Sequence, residues 1–142
     1  MRYVQAVLQP GASADDLLAR PPQALAPRWD DIAFVQAIKC APCRARSEPY
    51  SEMFTLCPPT YLADEVEILR PRAILLLGRS RVRDVVRPLF RDRFDLAWGR
   101  HPPGLEVDSL TIGGTPATLL CVNHPSARPA DVRRSLESLA SL

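Results

Sequence analysis

Lysine is nearly missing from this chain: of its 18 lysines and arginines, only Lys39 is a lysine. Arginine's planar fork of donors suits phosphate, so the bias is compatible with a nucleic-acid partner, although a genome rich in G and C would produce it with no function attached. Charge of one sign is also lacking. Eighteen basic side chains against 16 acidic ones leave a net +2, too little to identify an anionic partner. No apolar run approaches a membrane span, and the first residues carry neither the n-region nor the h-region of a secretory signal. The expected location is therefore the cytoplasm. Cysteine is sparse, at four residues (Cys40, Cys43, Cys57 and Cys121), and in an intracellular chain these are read as thiols or metal ligands before disulfides. There is no internal repeat. What is present is 142 residues with 46% apolar and 24% charged content, the composition of one soluble globular domain over 1–142.

Taken in order, Arg2–Leu8 with Tyr3, Val4, Val7 and Leu8 predicts a short strand closed by the turn Pro10-Gly11. Ser13 followed by Asp16 has the spacing of a capping box and predicts a short helix, which Pro21 and Pro22 end. Ile32–Ile38 is nearly all apolar and predicts a second strand covered on both faces. Residues 39–59 lack periodicity and read as a loop rich in cysteine, proline and cations. Leu62, Val66 and Leu69 predict an amphipathic helix beginning near Pro58 to Thr60. Ala73–Leu77 is the most apolar segment and is expected at the centre of the sheet. Gly78 permits a tight turn, Ser80 can cap, and Val82, Val85, Val86 and Leu89 mark the next helix. Arg91 to Pro103 reads as a basic loop holding Trp98 and His101. Gly113-Gly114 between Leu105–Ile112 and Thr118–Val122 predicts a hairpin, and Pro129 opens a last helix through Val132, Leu136 and Leu139. Strands alternating with helices predict an α/β fold with a mostly parallel sheet and helices on both faces.

The stretch with most chemistry is Thr118 to Arg128, T-L-L-C-V-N-H-P-S-A-R. An apolar run ends there in Asn123, His124, Pro125 and Ser126, as a buried strand does when it delivers a polar loop at its C-terminal end, where open α/β sheets bind ligands. Histidine titrates near neutrality and can polarise a substrate atom or stabilise an anion. A surface turn with a solvated imidazole is the plainer alternative.

Four features in this order resemble the uracil-DNA glycosylase superfamily, most closely its bacterial and archaeal iron-sulfur branches. They are V-Q-A-I-K-C-A-P, L-C-P-P-T-Y-L-A-D-E-V-E-I-L-R-P-R, A-I-L-L-L-G-R-S and H-P-S-A-R, and the match covers residues 32–142. The resemblance implies a three-layer α/β/α sandwich and an enzyme that flips uracil, or a related deaminated base, from DNA and hydrolyses its N-glycosidic bond. It implies that His124 stabilises the charge on the departing base. Pro125, Ser126 and Arg128 would grip the flanking phosphate, and Arg44 and Arg46 would lie along the DNA. Gln36 stands where the family often reads the uracil edge with asparagine, and its amide offers the same donor and acceptor.

The departures fall in residues 1–31, which read as a diverged or truncated part of the domain. The family's first motif, a strand and a G-E-A-P-G-like turn, has as its only counterpart V-L-Q-P-G. There Pro10 and Gly11 fit, while Leu8 occupies the acidic position, leaving Asp15 or Asp16 to position the attacking water. Loss of that acidic residue gives the alternative, a non-catalytic DNA-binding member. A third alternative is an α/β interaction module with no DNA role. Cys40 and Cys57 match two of the four cysteines that hold the family's [4Fe-4S] cluster, so the expectation is a chain without a cofactor, with the cluster as the alternative. Cys40-x-x-Cys43 and Cys121-x-x-His124 also have the spacing of zinc-ligand pairs.

Overall fold

Gly113 and Gly114 both adopt positive φ, 54° and 80°, the combination that turns a two-residue hairpin with the twist of its strands. They join β2 (Leu105–Ile112) to β3 (Thr115–Val122) in antiparallel register, with Leu105 opposite Val122 and Ile112 opposite Thr115. β1 (Ala73–Leu77) runs parallel to β3, Ala73 facing Thr118 and Leu77 facing Val122. The computed structural model describes residues 2–9, 11–20, 32–37, 51–78 and 81–142.

Among the described residues the sheet has the order β1-β3-β2 and is mixed, where the alternation of strands and helices predicts a mostly parallel one. The cause is local: a two-residue turn can join only antiparallel neighbours, whereas the parallel pair is reached by a long crossover. The most apolar strand is also not the central one. β3 holds the centre, and its Leu119, Leu120, Cys121 and Val122 are all buried, while β1 is only partly so.

The helices follow local chemistry. α1 (Arg2–Leu8) is a helix where its aromatic and β-branched residues predict a strand. Tyr3 and Ala6, three residues apart, are buried together with Gln5, and on a helix positions three apart share a face. α2 (Ala14–Ala19) has the predicted capping box: the Asp16 amide donates to Ser13 Oγ at 3.1 Å, and the Ser13 hydroxyl donates to Asp16 Oδ2 at 2.7 Å. α3 (Ser51–Cys57) continues through a π-helical turn, Pro58–Leu62, into α4 (Ala63–Leu69). The helix expected to begin at Pro58 to Thr60 is therefore already under way at Ser51, about two turns earlier, and two consecutive prolines, which lack amide donors, accompany its widening. Arg70, in the left-handed region at φ 45°, ends α4. α5 (Arg81–Phe94) extends further than expected, taking Arg91 to Phe94 from the predicted loop, and Asp95 at φ 50° stops it. α6 (Pro129–Ala140) opens on Pro129 as predicted. Residues 32–37, within the stretch expected to be a strand, form none, and Ser80 lies outside the described residues.

Alternation along β2 and β3 divides the core. Leu119 and Cys121 of β3 and Leu110 and Ile112 of β2 pack with Leu76, with Val86, Phe90 and Phe94 of α5, and with Leu62 and Val66. Leu120, Val122 and Leu105 point the other way, to Tyr3 and Ala6 of α1, Leu17 of α2, and Leu136 and Leu139 of α6. Each such fully buried leucine or phenylalanine contributes about 2 kcal/mol.

Candidate functional site

The polar loop forms where β3 leaves this core. Val122 is fully buried and His124, two residues on, is exposed, so the chain passes from core to surface within one turn. Asn123 fixes the exit. Its side-chain amide donates to Asp131 O and to Ser135 Oγ, each at 3.0 Å, and its backbone amide donates to Ser135 Oγ at 3.2 Å. Ser135 is itself fully buried on α6 and donates to Gly104 O at 2.6 Å, tying the start of β2 to the same point. The Ala127 amide closes the turn on His124 O at 2.8 Å.

Within the turn, the Ser126 amide donates to His124 Nδ1 at 3.2 Å, and the Ser126 hydroxyl lies 2.6 Å from the same nitrogen. A nitrogen that accepts a backbone N–H carries no proton in the neutral ring, so the proton resides on Nε2. Nε2 has no partner among the described residues, and the turn therefore offers one outward N–H donor. Ser126 and His124 are brought together, and Pro125 lies between them, exposed. Arg128 stands at the N-cap of α6, and its Nε donates to Asp131 Oδ2 at 3.0 Å while the rest of the side chain is exposed. The first amides of α6 and the Arg128 guanidinium thus lie a few residues along the chain from the imidazole, the usual surroundings of an anion.

The other predicted residues have different surroundings. Asp15 pairs with Arg133 of α6 at 2.6 Å, and the bond to Asp15 holds the Arg133 guanidinium above its ordinary pKa. Asp16 is engaged in the capping box with Ser13. No hydrogen bond or ion pair joins either carboxylate to His124. Gln36 is exposed, Gly11 adopts φ 91°, and Pro10, Cys40, Cys43, Arg44 and Arg46 lie outside the described residues. Cys57 is 2% exposed at the end of α3, and among the described residues no group of three His, Cys, Asp or Glu side chains is placed to hold a metal ion. Cys121 is buried among apolar side chains, and burial, with the Glu106 carboxylate beside it, pushes its thiol up to about 12. It therefore lies in the core while His124 stands at the surface, and the two do not form the zinc-ligand pair their spacing suggests.

Two features escape the sequence reading. The first is the set Asn123, Ser135 and Gly104, spread over three elements. The second is a buried ionic cluster between α5 and β2. Arg87 Nη1 donates to Glu106 Oε2 at 2.5 Å, its Nη2 lies 2.7 Å from Asp108 Oδ2, and Arg83 Nη1 donates to Glu106 Oε1 at 3.0 Å. Asp108 Oδ1 also accepts the Gly99 amide at 3.1 Å and stands 3.3 Å from His101 Nε2. A signal for it exists in L-E-V-D-S-L-T-I, whose period of two puts Glu106 and Asp108 on the face of Leu110 and Ile112.

An α/β domain whose central strand delivers a histidine, a proline and a serine onto a helix N-terminus defines the class. The model of the uracil DNA glycosylase superfamily matches residues 5–138, nearly the whole chain, and the protein belongs to that superfamily. Searches of curated proteins and of solved structures returned no significant match. Among the described residues no helix is long and apolar enough to cross a membrane.

Proposed function

We propose that this protein is a DNA glycosylase that excises uracil or a related deaminated base. The observation that carries the reading is the His124 ring, held through Nδ1 by Ser126 with its Nε2–H turned outward at the end of the central strand. Excision requires the nucleotide to leave the base stack, at a cost of a few kcal/mol, and to enter a pocket that reads its edge. As the N-glycosidic bond breaks, its electron pair departs with the base and negative charge develops on a base oxygen. The Nε2–H of His124 donates to that oxygen, and a neutral imidazole does this without first having to take up a proton. The helix N-terminus, Ser126 and Arg128 take the flanking phosphate, Gln36 reads the base edge, and Arg44 and Arg46 follow the strand. The core packed on both faces of the sheet supports the family's three-layer α/β/α arrangement as the fold of the domain.

Water addition at the sugar needs a carboxylate, assigned to Asp15 or Asp16. Both already have partners in Arg133 and Ser13, and α1 stands where a strand and acidic turn are expected. That observation favours a second reading, a member that binds DNA without hydrolysing it. Incubation of a uracil-containing oligonucleotide with the wild-type protein, Asp15→Asn and Asp16→Asn, with abasic sites read after alkali, separates the two. Abasic product that falls in either variant supports the glycosylase. No product, with binding that weakens as salt rises, supports the second reading.

A further inference from the structure

The outer side of α5 carries a groove that the glycosylase chemistry leaves unused. Arg83, Arg87 and Arg91, spaced by four residues, line it with Asp84, Pro88 and Trp98, and it encloses about 270 Å³. Trp98 is 59% exposed, unusual for the largest apolar side chain, and it is held in place from behind. The guanidinium of Arg87 lies 4.0 Å from the ring centroid and that of Arg91 5.4 Å. The backbone that carries the ring is equally fixed. Ala97 pairs with Ser109 in both directions, the Val107 amide donates to Arg100 O, and a Cβ on Gly99 would stand 1.9 Å from Val107 O. A tryptophan presented on so constrained a segment is preorganised for contact.

The charges around it are unequal in availability. Arg87 is answered by Glu106 and Asp108, and Arg83 by Asp84 and Glu106. Arg91 and Arg100 are exposed and have no carboxylate partner among the described residues. The groove therefore offers an aromatic plane beside one lining cation, Arg91, that no acid neutralises, the pairing that binds a base by its face and a phosphate by its charge.

We propose that this groove binds an unpaired nucleotide of a DNA single strand, the base stacking on Trp98 and the adjoining phosphate meeting Arg91. The proposal rests on the reading of the protein as DNA-acting and adds a contact outside the His124 turn. Stacking recognises any base, so the site would hold the strand without reading its sequence.

The test is fluorescence anisotropy of a labelled single-stranded oligothymidine titrated with the full chain, with an abasic oligonucleotide of equal length in parallel. Trp98→Ala is expected to weaken oligothymidine binding about tenfold and Trp98→Phe to retain most of it. The abasic strand should bind the wild type about as weakly as oligothymidine binds Trp98→Ala. Arg91→Ala should reduce the salt dependence of binding by about one phosphate contact. Because Trp98 also covers Arg87, the phenylalanine variant keeps a ring there and separates lost stacking from lost structure. Equal binding of both strands by the wild type, or wild-type affinity in Trp98→Ala, overturns the proposal. If the wild type still excises uracil in that case, the glycosylase reading stands; if it neither binds nor excises, both fall.

Discussion

His101 and His124, the chain's two histidines, occupy opposite surroundings at the same end of the sheet. His101 lies 3.3 Å from Asp108 and 3.5 Å from Arg87, on a cluster of two cations and two carboxylates closed under α5. His124 stands on an exposed turn, held only through Nδ1. The first neighbourhood pairs its charges with one another, Arg87 with Glu106 and Asp108, as buried charges must. The second is built so that one donor is left over. Both depend on the β2–β3 hairpin: Glu106 lies opposite Cys121 and Leu105 opposite Val122, so the register that buries the ionic cluster also sets where the chain emerges as His124. Rigidity beneath and availability above are two results of one pairing.

The largest effect expected from breaking this contrast is in Arg87→Ala. It leaves Asp108 buried without its arginine and Glu106 with Arg83 alone, and should cost about 3–5 kcal/mol of stability, read from the urea midpoint. A loss under about 1 kcal/mol would mean that water reaches the cluster and that the two histidine neighbourhoods do not differ in kind. Next comes Ser135→Ala, which removes the bonds to Asn123 and Gly104 at the root of the turn. It should cost about 1–3 kcal/mol and slow any base excision in the same protein, since Asn123 would no longer fix the strand exit. An unchanged rate in a destabilised variant would show that the turn holds its geometry without α6.

A smaller effect follows from Cys121, which shares the face of Glu106. Its thiol rises from an ordinary 9.0 to about 12 in the folded protein. Above pH 9 the unfolded chain releases this proton while the folded chain keeps it, so stability falls as pH rises from about 9 toward 12. Burial raises the Tyr3 hydroxyl as well, and its contribution has the same sign. Unfolding midpoints followed across that range should decline less steeply in Cys121→Val than in the wild type. Equal slopes would show the thiol to be accessible in the folded state.

What was legible in the sequence follows from how far apart the interacting residues lie. Gly113-Gly114, Ser13 with Asp16, and Pro129 act within a few positions, and the hairpin, the α2 cap and the start of α6 appear as the residues predict. Arg2–Leu8 is too short for its period to be distinguished; β-branched and aromatic content points to a strand, and packing of Tyr3 and Ala6 with Leu136 and Leu139 of α6 decides for a helix. The apolar run of β1 indicates burial but not position, and the hairpin itself places β3 between its neighbours. At the site, the histidine, the proline and the serine were readable because they are consecutive. Asn123 and Ser135 were not, being 12 positions apart, nor was the pairing of Arg87 with Glu106 across 19. No local pattern encodes a contact that only the folded sheet creates.

The most direct test of this division between the histidines is single-turnover uracil excision by wild type, His124→Ala and His101→Ala, each with its unfolding curve. The account predicts that His124→Ala lowers the rate about 10²- to 10³-fold, the effect of losing one oriented donor at the developing charge, with stability unchanged. His101→Ala should lose stability and keep its rate. A His124→Ala protein that excises uracil at the wild-type rate would contradict the account.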